Sequence, residues 1–353
     1  MADPHRTNDL TEALASGDLE SCRSFIRSSL IDEPSLRTYF QSLLAYAALH
    51  PLESARSHPV VTLNSLKNLV SLRLNIPSEP LVTQATKVSL SLRPDPPDKS
   101  WRGVSPERLN EPFFVMDLLT ALEEGDREKA FEEAARMSHI SDNETYLVDI
   151  LTEAALREFP RLGLFGYAFH RAAVFCRGKD ITPFAYRLLE AVSQEPIGPP
   201  FPTIPDGFRV DVFAGPVLTS GDTGEVILLA VADRLWNLDS MKGTAYRRAV
   251  VGWLGQRWAQ VATLEKPAPG PKGQRGDWPE LLKNGDTEAV ASSLIHVRES
   301  EDSIWPVEVA ETWISQGITE DPNHFVMLDA LQHLVKVLPE EYMTLLAQYL
   351  IRT

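Results

Sequence analysis

Cysteine is nearly absent from this chain of 353 residues, which has only Cys22 and Cys176. Two cysteines are too few for a disulfide-stapled scaffold or for a zinc site built from four thiolates. Both lie in segments with helical periodicity. Because free cysteine is among the most buried residue types, we expect two reduced, partly buried thiols.

Long hydrophobic runs are also absent. The longest apolar stretches, such as residues 226–232, are far shorter than the ~20 residues of a membrane-spanning helix. The first residues are polar, whereas a secretory signal has roughly 7–15 consecutive apolar residues. No lipidation signature is present at either end. These absences predict a soluble, cytoplasmic protein without membrane contact.

Positive charge is scarce. Lysine and arginine together number 34 against 49 aspartate and glutamate residues, so the formal net charge is −15. Nucleic-acid binding rests on basic side chains that meet phosphate groups, so this composition argues against a general nucleic-acid binder. A protein is the expected partner.

Familiar catalytic motifs are missing as well. The sequence has no Gly-x-Ser-x-Gly elbow, no His-Glu-x-x-His, no Glu-x-x-His and no phosphate-binding Walker loop. Gly270, Gly273 and Gly276 lack the flanking strand and helix of a dinucleotide loop. We therefore predict no metal and no cofactor, while the type of any reaction stays open.

Proline is abundant, with 26 residues, and much of it is clustered. Because proline lacks an amide hydrogen and clashes with the preceding turn, we expect helices to stop at the clusters. Residues 266–276 have the composition of a solvated linker. The clusters divide the chain into a first helical repeat, a second repeat, an extra helical pair and a third repeat, stacked as one array: 1–92, 113–195, 225–265 and 277–353.

Apolar residues between the clusters recur at helical spacing, as at Leu43, Leu44, Ala47 and Ala48. Sustained alternation with a period of two residues is scarce. The best strand candidate, 208–213, is short, and an irregular stretch in a long loop fits it equally well. The sequence predicts an all-α protein.

A short pattern, Leu-x-x-Gly-Asp-x-Glu, occurs at 14–20, 122–128 and 282–288. Leucine fits the last turn of one helix, and glycine fits the left-handed residue that follows it. Aspartate then caps the next helix, and glutamate favours the positive end of its dipole. Each copy predicts a tight turn between two helices.

The segments downstream of these turns also correspond. The leucine register of 57–70 matches that of 323–335 with one residue of slippage, and 162–175 occupies the same place in the middle copy. This organisation resembles α-solenoid helical repeats in general, of the HEAT and tetratricopeptide kind. It predicts an α-solenoid-like array of three unequal helical repeats with proline-rich connecting loops.

Candidate ligand-binding residues lie in these downstream segments. His58 and His324 fall at matching helix starts, which indicates either a shared site near the axis of the array or a repeated helix-start preference with the imidazole bonded to a loop carbonyl. Tyr167, His170 and Arg171 belong to an aromatic-rich helix that suits a ligand cavity or a packed core. Glu153 is a candidate helper residue for a site around His58, His170 and His324.

Candidate partner-binding residues lie in the extra helical pair. Trp236 and Trp253 are possible anchors, because tryptophan is enriched at binding hot spots, although buried packing is their default role. Arg247 and Arg248, with Tyr246 and Arg257, form a local basic patch that suits an acidic partner or an exposed helix face.

The leading functional prediction is a non-catalytic helical-repeat scaffold or protein-interaction module, because stacked helices present a continuous surface. The alternative is a metal- or ligand-binding enzyme whose site lies where the repeats converge, around His58, His170 and His324. The sequence leaves the oligomeric state open.

Overall fold

A computed structural model describes residues 4–141, 145–201, 209–240, 242–258, 267, 270–318 and 321–352. Within these residues the regular secondary structure is helical and includes no strand, which confirms the all-α prediction. None of the described helices is long and apolar enough to cross a membrane. Cys22 and Cys176 are free and buried.

The first half of the described chain forms two runs of helices separated by the first proline-rich stretch. The first run contains α1 (Pro4–Ala15), α2 (Leu19–Ser29), α3 (Glu33–Ala48), α4 (Pro59–Val70) and α5 (Glu79–Leu90). After the short α6 (Pro106–Leu109), the second run contains α7 (Val115–Glu124), α8 (Arg127–Ile140), α9 (Tyr146–Arg157), α10 (Phe159–Phe175) and α11 (Thr182–Val192).

The second half of the chain contributes eight more helices among the described residues. They are α12 (Val210–Ser220), α13 (Thr223–Trp236), α14 (Gly243–Trp258), α15 (Trp278–Asn284), α16 (Thr287–Glu299), α17 (Trp305–Ser315), α18 (Asn323–Val337) and α19 (Met343–Arg352). Three short 3₁₀ turns lie at Ser71–Arg73, Lys99–Arg102 and Glu340–Tyr342.

The three predicted glycine–aspartate turns have the expected local geometry. The glycines adopt left-handed backbone angles, with φ of 71°, 72° and 64° at Gly17, Gly125 and Gly285. The following aspartate caps the next helix in each case: its side chain accepts backbone amide hydrogens in the first turn of α2, α8 and α16. The sequence pattern therefore predicted these turns correctly.

A fourth turn of the same kind joins α12 to α13. Gly221 has φ of 77°, and the Asp222 side chain accepts from the amides of Gly224 and Glu225. Leu218 precedes the glycine by three residues, as in the other copies, but the glutamate comes one residue later. That single shift hid the turn from a search at fixed spacing.

Helix α12 corrects two predictions about its proline-rich stretch. Residues 210–213 are helical, so within the described residues the strand or irregular loop predicted for 208–213 is wrong. Pro216 lies inside the same helix, where no helix was expected to continue. A proline there removes one backbone hydrogen bond, to the carbonyl of Val212. Val212 is exposed, so water is available to replace that bond.

Four helices form a closed ring at the centre of the described chain. Helix α4 packs against α10 and α18, and α13 packs against the same two helices. The first and last runs of helices therefore meet directly. This packing does not confirm the solenoid-like array, in which end units would be kept apart. We refer to α4, α10, α13 and α18 as the central ring.

The segment predicted to be a solvated linker is held against α16 where it is described. The Ser292 hydroxyl donates to the carbonyl of Lys272 at 2.7 Å, and the amide of Gln274 donates to the carbonyl of Ser292 at 3.2 Å. A Cβ atom on Gly276 would lie 2.6 Å from the Ser293 hydroxyl oxygen. The glycine at position 276 therefore allows the segment to pack closely against α16, whereas the glycine-rich composition alone suggested a flexible linker.

Candidate functional site

An ion pair occupies the interior of the central ring. Arg234 on α13 donates to both carboxylate oxygens of Asp329 on α18, at 2.9 and 2.8 Å, and to its carbonyl oxygen at 2.8 Å. Asn68 on α4 donates to the same carboxylate at 3.1 Å. Tyr167 on α10 lies close to Arg234, and burial raises the pKa of this phenol. All four ring helices thus contribute to one polar junction.

Polar residues recur at positions i, i+3 and i+4 in three of the ring helices, which places them on one helix face. In α13 the matching positions carry Asp233 and Arg234, and His333 bonds to Asp233 at 2.8 Å. The sets in the other three helices are Asn64, Lys67 and Asn68; Tyr167, His170 and Arg171; Asp329, Gln332 and His333.

Little space remains inside this junction. The cavity between Asn64, Tyr167, Arg234 and Asp329 measures about 10 Å³, which is the room of roughly one water molecule. The two charged residues that line this cavity, Arg234 and Asp329, are bonded to each other. The interior is therefore filled by its own side chains and leaves no room for a ligand.

His58 caps the start of α4. The amide of Val60 donates to its Nδ1 atom at 3.3 Å, so Nε2 carries the hydrogen that is donated to the carbonyl of His50, also at 3.3 Å. Its ring meets the edges of Phe165 and Phe169. Burial lowers the pKa of His58 to about 3. The predicted helix-start histidine bonded to a loop carbonyl is confirmed here.

His170 and His324 have different surroundings. The Nε2 atom of His170 donates to Asp149 at 2.9 Å, and its ring packs edge-on against Tyr246. His324 lies beside Trp313, with 6.0 Å between ring centroids. The described residues hold no group of three histidine, cysteine or acidic side chains able to bind a metal. The three histidines of the alternative prediction each have separate neighbours.

The helper Glu153 lies on α9, four residues after Asp149, the hydrogen-bond partner of His170. Its carboxylate forms an ion pair with Lys242 at 3.0 Å. Tyr246 donates to the carbonyl of Asp149 at 3.1 Å, and burial, followed by the Asp149 charge, raises the pKa of this tyrosine. This network joins α14 to α9 and α10.

The basic patch predicted as a partner site is smaller than expected. Trp253 is 5% exposed and stacks on Phe159 with ring centroids 4.7 Å apart, so it belongs to the interior and corrects the prediction of an anchor. The guanidinium of Arg247 covers the half-buried Trp236 at 5.7 Å, and Arg248 is exposed. These three residues reach the surface, and so does the exposed Arg257, which pairs with Glu225 at 3.0 Å.

A small pocket lies beside the ring, where the C-terminal end of α10 meets α3 and α4. The Lys67 ammonium lies 4.9 Å from the centroid of the Phe175 ring, and the Arg37 guanidinium lies 5.4 Å from it. We call this cavity of about 140 Å³ the Phe175 pocket; it is lined by Glu33, Leu36, Arg37, Phe40, Lys67, Val70, Ser71, Leu74 and Phe175.

Lys67 is the titratable group of this pocket with the most altered environment. Its ammonium donates to Asn64 at 2.9 Å. Burial and then the nearby Arg171 charge lower the pKa of Lys67 to about 8, while Asp329 opposes the shift. Arg171, which was predicted to bind a ligand, thus contributes to the lowered pKa of the Lys67 amine.

A cavity of about 650 Å³ lies among α15, α16 and α17. We call it the acidic cleft, after its carboxylates Asp277, Asp302, Glu308 and Glu311. Arg275 and His296 also line it.

Two of these carboxylates differ in their pairing. Glu311 bonds to Arg73 at 2.7 Å. Burial, followed by the Asp302 charge, raises the pKa of Glu308, against the effect of Arg275 and Arg73. A half-buried carboxyl with a raised pKa is one that an added positive charge would stabilise.

Sequence reasoning missed both the acidic cleft and the Phe175 pocket. A signal for the cleft was available, because five carboxylates fall between residues 299 and 311. No comparable signal marks Arg37 and Lys67, which come from different helices.

Comparisons with known protein families, with curated proteins and with solved structures found no match to this chain.

Proposed function

We propose that the protein is a non-catalytic helical-repeat scaffold or protein-interaction module of the cytoplasm. We further propose that the acidic cleft receives a basic segment of a partner protein. The observation that carries this proposal is the size and charge of the cleft: about 650 Å³ of open space beside four carboxylates.

The repeat organisation is part of the proposal. Four glycine–aspartate turns each precede or start a run that supplies one helix to the central ring. We propose that repeats 1–92, 113–195 and 277–353 close around this ring, and that the extra unit is a shorter fourth copy that extends over 210–258. Stacking would bury apolar faces that no single unit can bury alone.

The charges in the cleft favour a lysine or arginine side chain. Glu311 is already paired with Arg73. The other three carboxylates, Asp277, Asp302 and Glu308, share the cleft with Arg275 and His296. A bound cation would offset the desolvation of Glu308. Rim charges of this kind also speed association with an oppositely charged partner. The net charge of −15 disfavours nucleic acid as that partner.

The test is the binding of a labelled arginine-rich peptide, followed by fluorescence anisotropy at low and moderate salt. A glutamate-rich peptide of equal length is the charge control. We expect the arginine-rich peptide to bind, and the double variant Asp302→Asn, Glu308→Gln to weaken it by about tenfold, which corresponds to ~1.4 kcal/mol.

The matched control is a second double variant, Glu12→Gln, Glu53→Gln, which removes two exposed carboxylates far along the chain from the cleft. Both double variants carry the same net charge. Equal weakening by the two would show that the peptide binds the overall negative charge, and the cleft would then lose its role.

Two further predictions stay open as proposals. The part of the basic patch that reaches the surface is a second candidate surface, suited to an acidic partner; it contains Trp236, Arg247, Arg248 and Arg257. The alternative of an enzyme site around His58, His170 and His324 gains no support from their separate surroundings.

A further inference from the structure

We propose that the Phe175 pocket binds a small monocarboxylate with an apolar body, its carboxylate facing Lys67 and Arg37. The pocket lies at the junction of α3, α4 and α10, whereas the acidic cleft lies among α15, α16 and α17. The inference therefore stands apart from the proposed function, and each has its own test.

The first argument is the pair of cations at the pocket. Lys67 and Arg37 both lie over the Phe175 ring, at 4.9 and 5.4 Å. Among the described residues neither forms an ion pair; the hydrogen-bond acceptor of Lys67 is the neutral side chain of Asn64. Two like charges over one ring repel each other, and an aromatic face compensates them only in part. A carboxylate would supply the missing negative charge.

The second argument is the apolar body of the pocket. Leu36, Phe40 and Val70 are buried in its wall, and Leu74 is partly exposed beside it. A cavity of about 140 Å³ is close to the size of cavities known to hold one benzene molecule. The occupant is therefore about as large as a six-membered ring or a short alkyl chain.

The third argument is the balance of charge that faces Lys67 from the packed helices. Asp329 on α18 has both carboxylate oxygens bonded to Arg234 on α13. Arg171 on α10 adds another positive charge. The neutral thiol of Cys176 lies nearby, and burial raises the pKa of that thiol to about 12.

Glu33 is the acidic residue among the pocket-lining side chains. It is exposed in the first turn of α3. The pocket thus carries the positive charge of the partly buried Lys67 and of the exposed Arg37, while its walls are mostly apolar. This combination favours a monoanion with an apolar body over a dianion such as phosphate, whose hydration such walls could not replace.

The proposed binding depends on pH. Burial and Arg171 hold the pKa of Lys67 at about 8, and a bound carboxylate would raise it, so the ammonium form binds better. Affinity should fall as the pH rises through 8. If the ammonium form alone binds, the loss between pH 6.5 and 9.5 approaches about thirtyfold.

The experiment uses the full chain and two fluorinated probes of similar shape, 4-fluorobenzoate and 4-fluorobenzyl alcohol, followed by fluorine NMR. We expect the acid to bind at pH 6.5 about tenfold more tightly than the alcohol. Lys67→Met should remove that preference and the pH dependence. Lys87→Met, which changes an exposed lysine on α5, should alter neither.

A second variant keeps the proposal testable if Lys67→Met folds poorly. Leu74→Trp adds bulk at a partly exposed position beside the pocket and should block both probes. Equal binding of acid and alcohol, a preference that survives Lys67→Met, or no binding of either probe up to ~10 mM would overturn the proposal. Competition between 4-fluorobenzoate and the arginine-rich peptide would show that the two sites are not separate.

Discussion

The glycine–aspartate turns and the central ring hold the molecule together by different means. A turn is made by neighbours in sequence: Asp126 caps the amide of Lys129, three residues away. The ring junction is made by distant residues: Arg234 and Asp329 are 95 positions apart, and Asn68 and Asp329 are 261 apart. The turns repeat because each is local, whereas the junction exists once and involves all four ring helices.

The two regions also differ in their exposure to water. The capping aspartates lie at the surface, where water can replace a lost hydrogen bond, so each cap contributes about 1 kcal/mol. The Arg234–Asp329 pair is largely shielded, with 15% and 5% of the side chains exposed. Removing one partner there leaves a charge that water cannot reach easily. We expect the cost of a substitution to rise from the turns to the ring.

The largest expected effect comes from Asp329→Ala. This change leaves Arg234 without its carboxylate, close to Arg171 and Lys67, and should lower the free energy of unfolding by about 3–5 kcal/mol. Chemical denaturation measures the change.

Two companion variants sharpen this result. Asp239→Ala, at an exposed position, should change stability by less than about 0.5 kcal/mol. Adding Arg234→Met to Asp329→Ala should recover part of the loss, because the unpaired charge is then gone. A loss below about 1 kcal/mol for Asp329→Ala would mean that the ring does not depend on this pair.

An intermediate effect is expected at His58 and depends on pH. Its folded-state pKa of about 3 lies below the ordinary value of 6.5, so below pH 6.5 the unfolded chain binds a proton that the folded chain does not. Folding stability therefore decreases as the pH is lowered. Preferential protonation of His58 in the unfolded chain accounts for about 2 kcal/mol of this decrease between pH 7 and pH 5.

His58→Asn tests this contribution, since asparagine can still cap α4. The loss of unfolding free energy between pH 7 and pH 5 should be about 2 kcal/mol smaller in the variant than in the parent protein. His139→Asn, at an exposed histidine, should leave the loss unchanged. If both variants match the parent, His58 is not held neutral in the folded protein.

The smallest effects are expected at the turns. Asp18→Ala, Asp126→Ala and Asp286→Ala should each cost about 1 kcal/mol, measured by thermal or chemical unfolding. Asparagine at the same positions should restore most of the loss. The losses of unfolding free energy at two turns should add to within about 0.5 kcal/mol in a double variant. The losses caused by substitutions at Asp329 and Arg234 should not add. Strong coupling between distant turns would remove the contrast between the two regions.

The sequence predicted features that depend on a few neighbouring residues. The all-α character follows from apolar spacing, and the turns follow from glycine and aspartate in a fixed order. The helix-start role of His58 was among the readings left open. Predictions failed where context overrode composition: Pro216 continues α12, and the glycine-rich segment before α15 is bound to α16.

Candidate sites were harder to predict because their members are far apart in sequence. Trp253 looked available as an anchor, yet Phe159 on another helix covers it. Arg37 and Lys67 meet only through Phe175, which lies more than a hundred residues away. Nothing in the spacing of these residues indicates that they share a pocket.

Helical periodicity, the capped turns and the acidic balance of this chain follow from the amino acids alone, because each depends on residues within one or two helical turns or on composition. The closure of four helices into a ring, the pairing of Arg234 with Asp329 and the cavities were decided by tertiary packing. Tertiary packing determines which side chains from distant parts of the chain are buried next to each other. It therefore determines which charged groups are paired within the protein and which remain accessible to a ligand.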